Sequence, residues 1–178
     1  MSKDEQKKIS DALSVIASLP LYIDDTPGIR LLDLVAKSKK LQAAHGDLAM
    51  IVIDYIGLIT LGSQKFESRQ LEVSEISRAL KELARDLKVP VIVVSQLSRR
   101  VEERKGKRPL LSDLRESGSL EQDADVVMLL FREDYQGEVE DKPKEGDEPI
   151  PVNPLNPSEV EVIVAKNRNG PTGVVSLL

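Results

Sequence analysis

Two apolar runs that do not alternate, MIVIDYI (50–56) and VPVIVVSQ (89–96), bracket one amphipathic helix pattern. This arrangement constrains the fold more than any other feature of the chain. An unalternating apolar run reads as a strand buried on both faces, and such strands belong to parallel sheets covered by helices. Between the runs, Ile76, Leu80, Leu83 and Leu87 recur at helical spacing and predict a helix from about Ser68 to Leu87. Strand, helix and strand then make one crossover unit, with Pro90 tolerated at the start of the second strand.

The flanking segments extend the alternation. Ser2 and Glu5 form a capping box for a first helix with Ile9, Ala12, Leu13 and Ile16 on one face, stopped by Pro20. LYIDD (21–25) reads as a short strand, TPG (26–28) as a turn, and Leu31 to Ala44 as a helix. His45, just before Gly46, is expected to cap that helix rather than to bind a ligand. A polar segment (98–118) precedes the apolar run DADVVMLLFR, and EVEVIVAKNRNGPTGVVSLL closes the chain as two strands joined at Asn169-Gly170, a hairpin signal. Residues 133–158, rich in acids, Pro and Gly, are expected to form a flexible surface loop. The expectation is an α/β fold with an open, largely parallel sheet flanked by helices and an antiparallel C-terminal hairpin. At 178 residues the chain suffices for one domain with a sizeable core.

Composition narrows the class. With no cysteine, a disulfide scaffold and a thiolate metal site are excluded. No apolar run approaches the roughly 20 residues that span a bilayer, and the polar start MSKDEQKKIS lacks a signal-peptide core, so a cytoplasmic protein without a membrane partner is expected. The net charge of −5 conceals an uneven distribution: residues 133–148 hold eight acids and two lysines, a net −6, leaving the rest near +1. A basic stripe elsewhere could still bind phosphates, since charges more than about 10 Å away are largely screened.

In open α/β sheets ligands bind at the carboxyl ends of strands. Three strands end in suitable residues: Asp54, Gln96, and the pair Lys166 and Arg168. An Asp there can hold Mg²⁺ through water, and a neighbouring Gln can bond a γ-phosphate or orient the attacking water. Asp54 equally fits an acid capping a local turn. A nucleotide also needs a phosphate cradle, and none of the ten glycines fits G-x-x-x-x-G-K-[ST]; the only Gly-Lys pair is Gly106-Lys107, followed by Arg108.

The segments IVIDYIGLI, SRQLEVSEISRALKELARDLKVPVIVVSQLSR, KRPLLSDLRESGSLEQDADVVMLLFREDY and AKNRNGPTG occur in an order that resembles the C-terminal, RecA-like ATPase domain of DnaB-type replicative DNA helicases. The resemblance runs from about Ile9 to Leu178 and is most specific at LRESGSLEQDAD and KNRNGPTG. It implies a partial RecA-like domain over 1–178, with the phosphate-binding loop and the catalytic glutamate expected before Met1. It also implies ATP and Mg²⁺ as cofactors. Asp54 matches the Walker B acid, Gln96 the glutamine that couples the γ-phosphate state to the DNA loops, and Lys166 with Arg168 the basic pair acting in trans as an arginine finger. One departure is Gly57, where the family commonly has Gln.

On the nucleic-acid side, RRVEERKGKR (99–108) has six basic residues and two acids. A solvated loop is one reading. The other rests on position: with Arg99 and Arg100 at its start, the run leads into SDLRESGS, which resembles the family's pore-facing loop, where Arg115, Glu116 and Gly118 match positions tracking a single strand. Aromatic content of 3% argues against a stacking platform, so binding should follow the backbone and weaken with salt. The implied partners are single-stranded DNA, further copies in a homohexamer, a primase and a helicase loader. The implied function is ATP-driven unwinding by the intact protein, with the 178-residue chain alone inactive. The alternative is a non-enzymatic truncated paralogue that binds and regulates a helicase ring or DNA.

Overall fold

The N-terminal capping signal forms as expected. The structure, a computed structural model, describes residues 2–62, 68–98, 101, 104, 108–114, 118–132 and 159–177. Ser2 caps α1 (Lys3–Ser18): its hydroxyl accepts from the Glu5 N–H at 3.2 Å, and the Glu5 carboxylate accepts from the Ser2 N–H at 2.6 Å. The apolar face carrying Ile9, Leu13 and Ile16 is exposed. The LYIDD segment does not become a strand; residues 19–25 are irregular and exposed. A strand needs a neighbour for its backbone groups, and no described segment pairs with this one. Side chains fix it instead: Asp24 accepts from Lys37 Nζ and from the Thr26 hydroxyl, both at 2.6 Å. The Lys37 bond, followed by those from Thr26, holds the Asp24 carboxyl down to about 2.

The second helix, α2 (Leu31–His45), ends at Gly46, which has φ of 76° and donates its N–H to Gln42 O at 2.7 Å. His45 is therefore the last helical residue, and Gly46 is the cap, because a left-handed C-terminal position suits glycine. The central crossover follows as β1 (Ile51–Ile53), α3 (Arg69–Leu87) and β2 (Val91–Val93), with β1 and β2 parallel and Ile53 opposite Val93. Ser68 caps α3 by accepting from the Leu71 N–H at 3.4 Å.

The core lies between these elements. Leu31 and Leu34 of α2, Val73, Ile76, Leu80 and Leu83 of α3, and Ile53, Ile56 and Ile59 form one buried cluster. Burial on both faces of the parallel strands does not occur: Val52 is 60% exposed, and Ile92 and Val94 are also open. Both covering helices, α2 and α3, pack on the Ile53 side, and no layer covers the other face among the described residues.

The rest of the described chain is α4 (Gly118–Asp123), β3 (Val126–Phe131), β4 (Val160–Asn167) and β5 (Gly173–Leu177), the strands forming an antiparallel sheet in the order β3-β4-β5. The α/β class and the C-terminal antiparallel pairing agree with expectation. Two details differ. The expected open sheet is divided, since the β1-β2 pair and the three-stranded sheet form separate ladders. The hairpin connection is also longer than the Asn169-Gly170 pair, because the β4-β5 ladder ends at Val164 opposite Gly173. Asn167 organises this connection: Nδ2 donates to Pro171 O at 3.2 Å and Oδ1 accepts from the Asn169 N–H at 3.3 Å. A Cβ at position 170 would lie 2.6 Å from that Nδ2, so a side chain there would require the Asn167 amide to shift.

Hydrogen bonds join the two halves through α3 and α4. The Ser77 hydroxyl donates to Asp123 Oδ2 at 2.6 Å, and the Ser74 and Ser119 hydroxyls meet at 2.9 Å. The expected loop over 133–158 lies outside the described residues. Among the described residues no helix is long and apolar enough to cross a membrane.

Candidate functional site

Parallel pairing places the two candidate strand-end residues at one edge. Beyond the strands the ladder continues, with the Val94 N–H donating to Ile53 O at 2.9 Å and the Ile56 N–H to Val94 O at 3.0 Å. Asp54 thus lies alongside Val94, two residues before Gln96, and both side chains are exposed. The turn after Asp54, Ile56–Leu58, has Tyr55 at its N-cap and no side-chain cap bond, so Asp54 does not serve as the local cap. No group of three or more His, Cys, Asp or Glu that could cage a metal occurs among the described residues. A single exposed carboxylate suits a cation that keeps most of its water and takes further oxygens from a phosphate.

Arg69 at the start of α3 braces the segment that follows Asp54. Its Nη2 donates to Gly57 O at 3.1 Å and Ile59 O at 3.5 Å, while Nη1 pairs with Glu72. Glu72 in turn accepts from the Leu61 N–H at 3.3 Å. At Gly57 the space a side chain would need is taken: a Cβ would lie 2.3 Å from Cε2 of Tyr55. A larger side chain at this position would therefore require the Tyr55 ring to shift.

Gln96 connects directly to the basic segment. Leu97 bridges antiparallel to Leu114, and the Ser98 N–H donates to Asp113 O at 2.8 Å. Asp113 is 3% exposed and is held by Arg104 in a two-bond fork, Nη2 to Oδ1 at 2.5 Å and Nη1 to Oδ2 at 3.0 Å. The Leu110 N–H adds a third bond at 2.7 Å. The Arg104 hydrogen bond, opposed by burial and aided by the Leu110 N–H, keeps the Asp113 carboxyl below its usual range. Arg108 is likewise engaged, pairing with Glu161 at 2.8 Å and lying 5.6 Å from the centre of the Phe131 ring. The two described members of the basic run, Arg104 and Arg108, therefore support the loop from within.

Of the expected nucleic-acid residues, Arg99, Arg100, Arg115 and Glu116 lie outside the described residues. Gly118 is the exposed first residue of α4, with open space where a Cβ would sit. Lys166 and Arg168, at the far end of β4, both reach the carboxyl end of α4. Lys166 Nζ donates to Glu121 O at 2.5 Å and Gln122 O at 3.3 Å, and Arg168 Nη2 donates to Gln122 O at 2.8 Å. Cations satisfy helix-end carbonyls that lack intrahelical partners. Arg168 also pairs with Asp125 at 3.2 Å. Hydrogen bonds from Lys81 and the charges of Lys81, Arg168 and Arg85 lower the Asp125 carboxyl against the opposing effect of burial.

The structure therefore brings Asp54 and Gln96 to one strand edge and Lys166 and Arg168 to one helix end. Sequence reasoning missed Arg69, Arg104, Asp113, Lys81 and Asp125, all of which act by holding other groups. Only Arg69 and Glu72 carried a local signal, their helical spacing. A surface cleft of about 380 Å³, lined by Thr26, Gly28, Ile29, Arg30, Asp33, Ala36 and Lys37, contains none of the candidate residues.

Comparison with known proteins agrees along the whole chain. The family of the DnaB-like helicase C-terminal domain matches residues 1–178. The chain is 48% identical over 177 residues to the replicative DNA helicase DnaC of Bacillus subtilis, covering 99% of this chain and 36% of that protein. A solved DnaB-like replicative helicase, described with its interactions with primase, is 40% identical with a TM-score of 0.81, covering 99% of this chain and 39% of that one. A solved ATPase domain is 41% identical with a TM-score of 0.81, covering 98% of this chain and 56% of that one. The chain spans about a third of the length of the curated relatives it matches.

Proposed function

The chain belongs to the DnaB-like helicase C-terminal domain family, and from that premise we propose that the intact protein is an ATP-dependent replicative DNA helicase. The observation that carries the proposal is the backbone route from Asp54 and Gln96 through the Leu97–Leu114 bridge to Leu114, four positions before Gly118 in the sequence. It gives a mechanical connection between a nucleotide-side edge and a nucleic-acid-side loop.

In this reading Asp54, as the Walker B acid, holds a water-bound Mg²⁺. Bound Mg²⁺ and ATP supply the phosphoryl chemistry, with the metal's charge offsetting that of the phosphate oxygens. Gln96 senses the γ-phosphate side and passes its position along Leu97 to Leu114. Arg99, Arg100, Arg115, Glu116 and Gly118 contact the backbone of single-stranded DNA. Arg168, with Lys166, serves a neighbouring subunit as an arginine finger in a homohexamer. The partners are single-stranded DNA, a primase and a helicase loader, in the cytoplasm.

Two measurements test this. The intact protein should hydrolyse ATP faster with single-stranded DNA, and Asp54→Ala should lower kcat by at least ~100-fold. Its mass in the native cell should exceed 19.7 kDa. A native species at 19.7 kDa without turnover would favour the non-enzymatic module.

A further inference from the structure

The contacts around Arg168 are asymmetric in a way that separates it from Lys166. Lys166 spends its ammonium on the carbonyls of Glu121 and Gln122 and is partly buried. Arg168 is exposed, and its hold has three parts. Its backbone N–H donates to Asp125 O at 2.8 Å, Nη1 lies 3.2 Å from Asp125 Oδ1, and Nη2 donates to Gln122 O at 2.8 Å. A guanidinium carries five N–H donors, so these contacts orient the group while leaving donors for a phosphate. The second Asp125 oxygen, Oδ2, is taken by Lys81 of α3. Asp125 therefore sits between two cations, one from the core helix and one at the end of β4.

We propose that Asp125 is a positioning residue that preorganises Arg168 for action on a neighbouring subunit's nucleotide, with Lys81 fixing the carboxylate from the core side. The inference rests on the function proposed above. Its physical basis is that a cation assists phosphoryl transfer only when it is placed where charge develops. A flexible arginine whose two side-chain partners are fixed by α3 and α4 arrives oriented. Lys166, by contrast, is held by the carbonyls of Glu121 and Gln122 and has no contact with Asp125 among the described ion pairs.

The test uses the intact protein. Asp125→Asn, which keeps an oxygen but loses the charge held between Lys81 and Arg168, is expected to lower DNA-stimulated kcat about 10- to 100-fold, the scale of a misplaced catalytic group. KM for ATP and the Kd for single-stranded DNA should change less than about twofold, since neither contact is altered. Mixing Asp125→Asn with Asp54→Ala subunits should restore turnover, because one variant keeps the metal-side acid and the other the oriented arginine. In crystals of Asp125→Asn, Arg168 Nη2 is expected to leave Gln122 O. Should Asp125→Asn misfold, Lys81→Met leaves the carboxylate in place and should lower kcat severalfold while KM for ATP stays within about twofold. An active wild type with unaltered kcat in both variants overturns the positioning role alone. A wild type without DNA-stimulated turnover overturns the helicase reading and the inference together.

Discussion

The parallel and antiparallel halves are built from equally apolar strands, yet they bury them differently. In the first half, β1 and β2 rest on α2 and α3, and Ile53, Ile76, Leu80 and Leu83 form a closed cluster. In the second, Val127 and Leu129 of β3 are buried while Leu130 is 68% exposed, and β5 is exposed along its length. An apolar side chain contributes to folding only where another layer removes it from water. The first half is thus the stable platform and the second a surface-rich extension, tied to it through α3 and α4 by hydroxyls and ion pairs. This division suits the proposed chemistry, in which the platform holds Asp54 and Gln96 and the extension carries Arg168.

The contrast can be tested by substitution, beginning where the effect is largest. Ile76, 0% exposed at the centre of the cluster, should cost about 2–5 kcal/mol when changed to alanine, seen in urea denaturation. Loss of less than 1 kcal/mol would mean the platform has no fixed core. Asp113→Asn should cost about 1–3 kcal/mol, because Arg104 and the Leu110 N–H lose their shared acceptor charge. Since folding lowers the Asp113 pKa, its contribution is full above the unfolded value and declines as pH falls through the folded one. The melting difference between wild type and Asp113→Asn should therefore be constant near neutrality and shrink below about pH 4.

Ser77→Ala should cost about 1 kcal/mol by removing the bond to Asp123 that joins the halves. If α3 and α4 were coupled only by packing, this variant would melt with the wild type. Leu130→Gln should fall within about 0.5 kcal/mol, as expected of an exposed position. It should also reduce self-association of the isolated chain in sedimentation, because uncovered apolar surface of this kind is prone to association.

Local chemistry was legible wherever it was local. The Ser2–Glu5 box, the α3 stripe and the antiparallel pairing of the last two strands each depend on residues a few positions apart. Asp54 was legible for the same reason, as it directly follows β1. Strand β2, by contrast, ends at Val93, three residues short of Gln96, although the apolar run continues to Val94. LYIDD misled because its composition suits a strand while pairing needs a partner elsewhere. His45 misled by one position, because the left-handed conformation at Gly46 moved the cap. The brace residues left no trace, since Arg104 meets Asp113, and Lys81 meets Asp125, across spacings that no local period marks.

The sequence by itself determined the α/β class, the Ser2–Glu5 capping box, the crossover unit and the candidate residues for which a phosphate or metal role is proposed. These follow from periodicity, backbone preference and side-chain chemistry, which operate within a few residues. Tertiary structure alone decided that the strands form two ladders, that one face of β1 and β2 is open among the described residues, and that Lys166 and Arg168 dock on the end of α4. Those outcomes depend on which surfaces meet across 40 or more residues, as in the Lys166 contact to Glu121, with its separation of 45. Burial and pairing at that range are properties of assembled layers, and no single segment carries them.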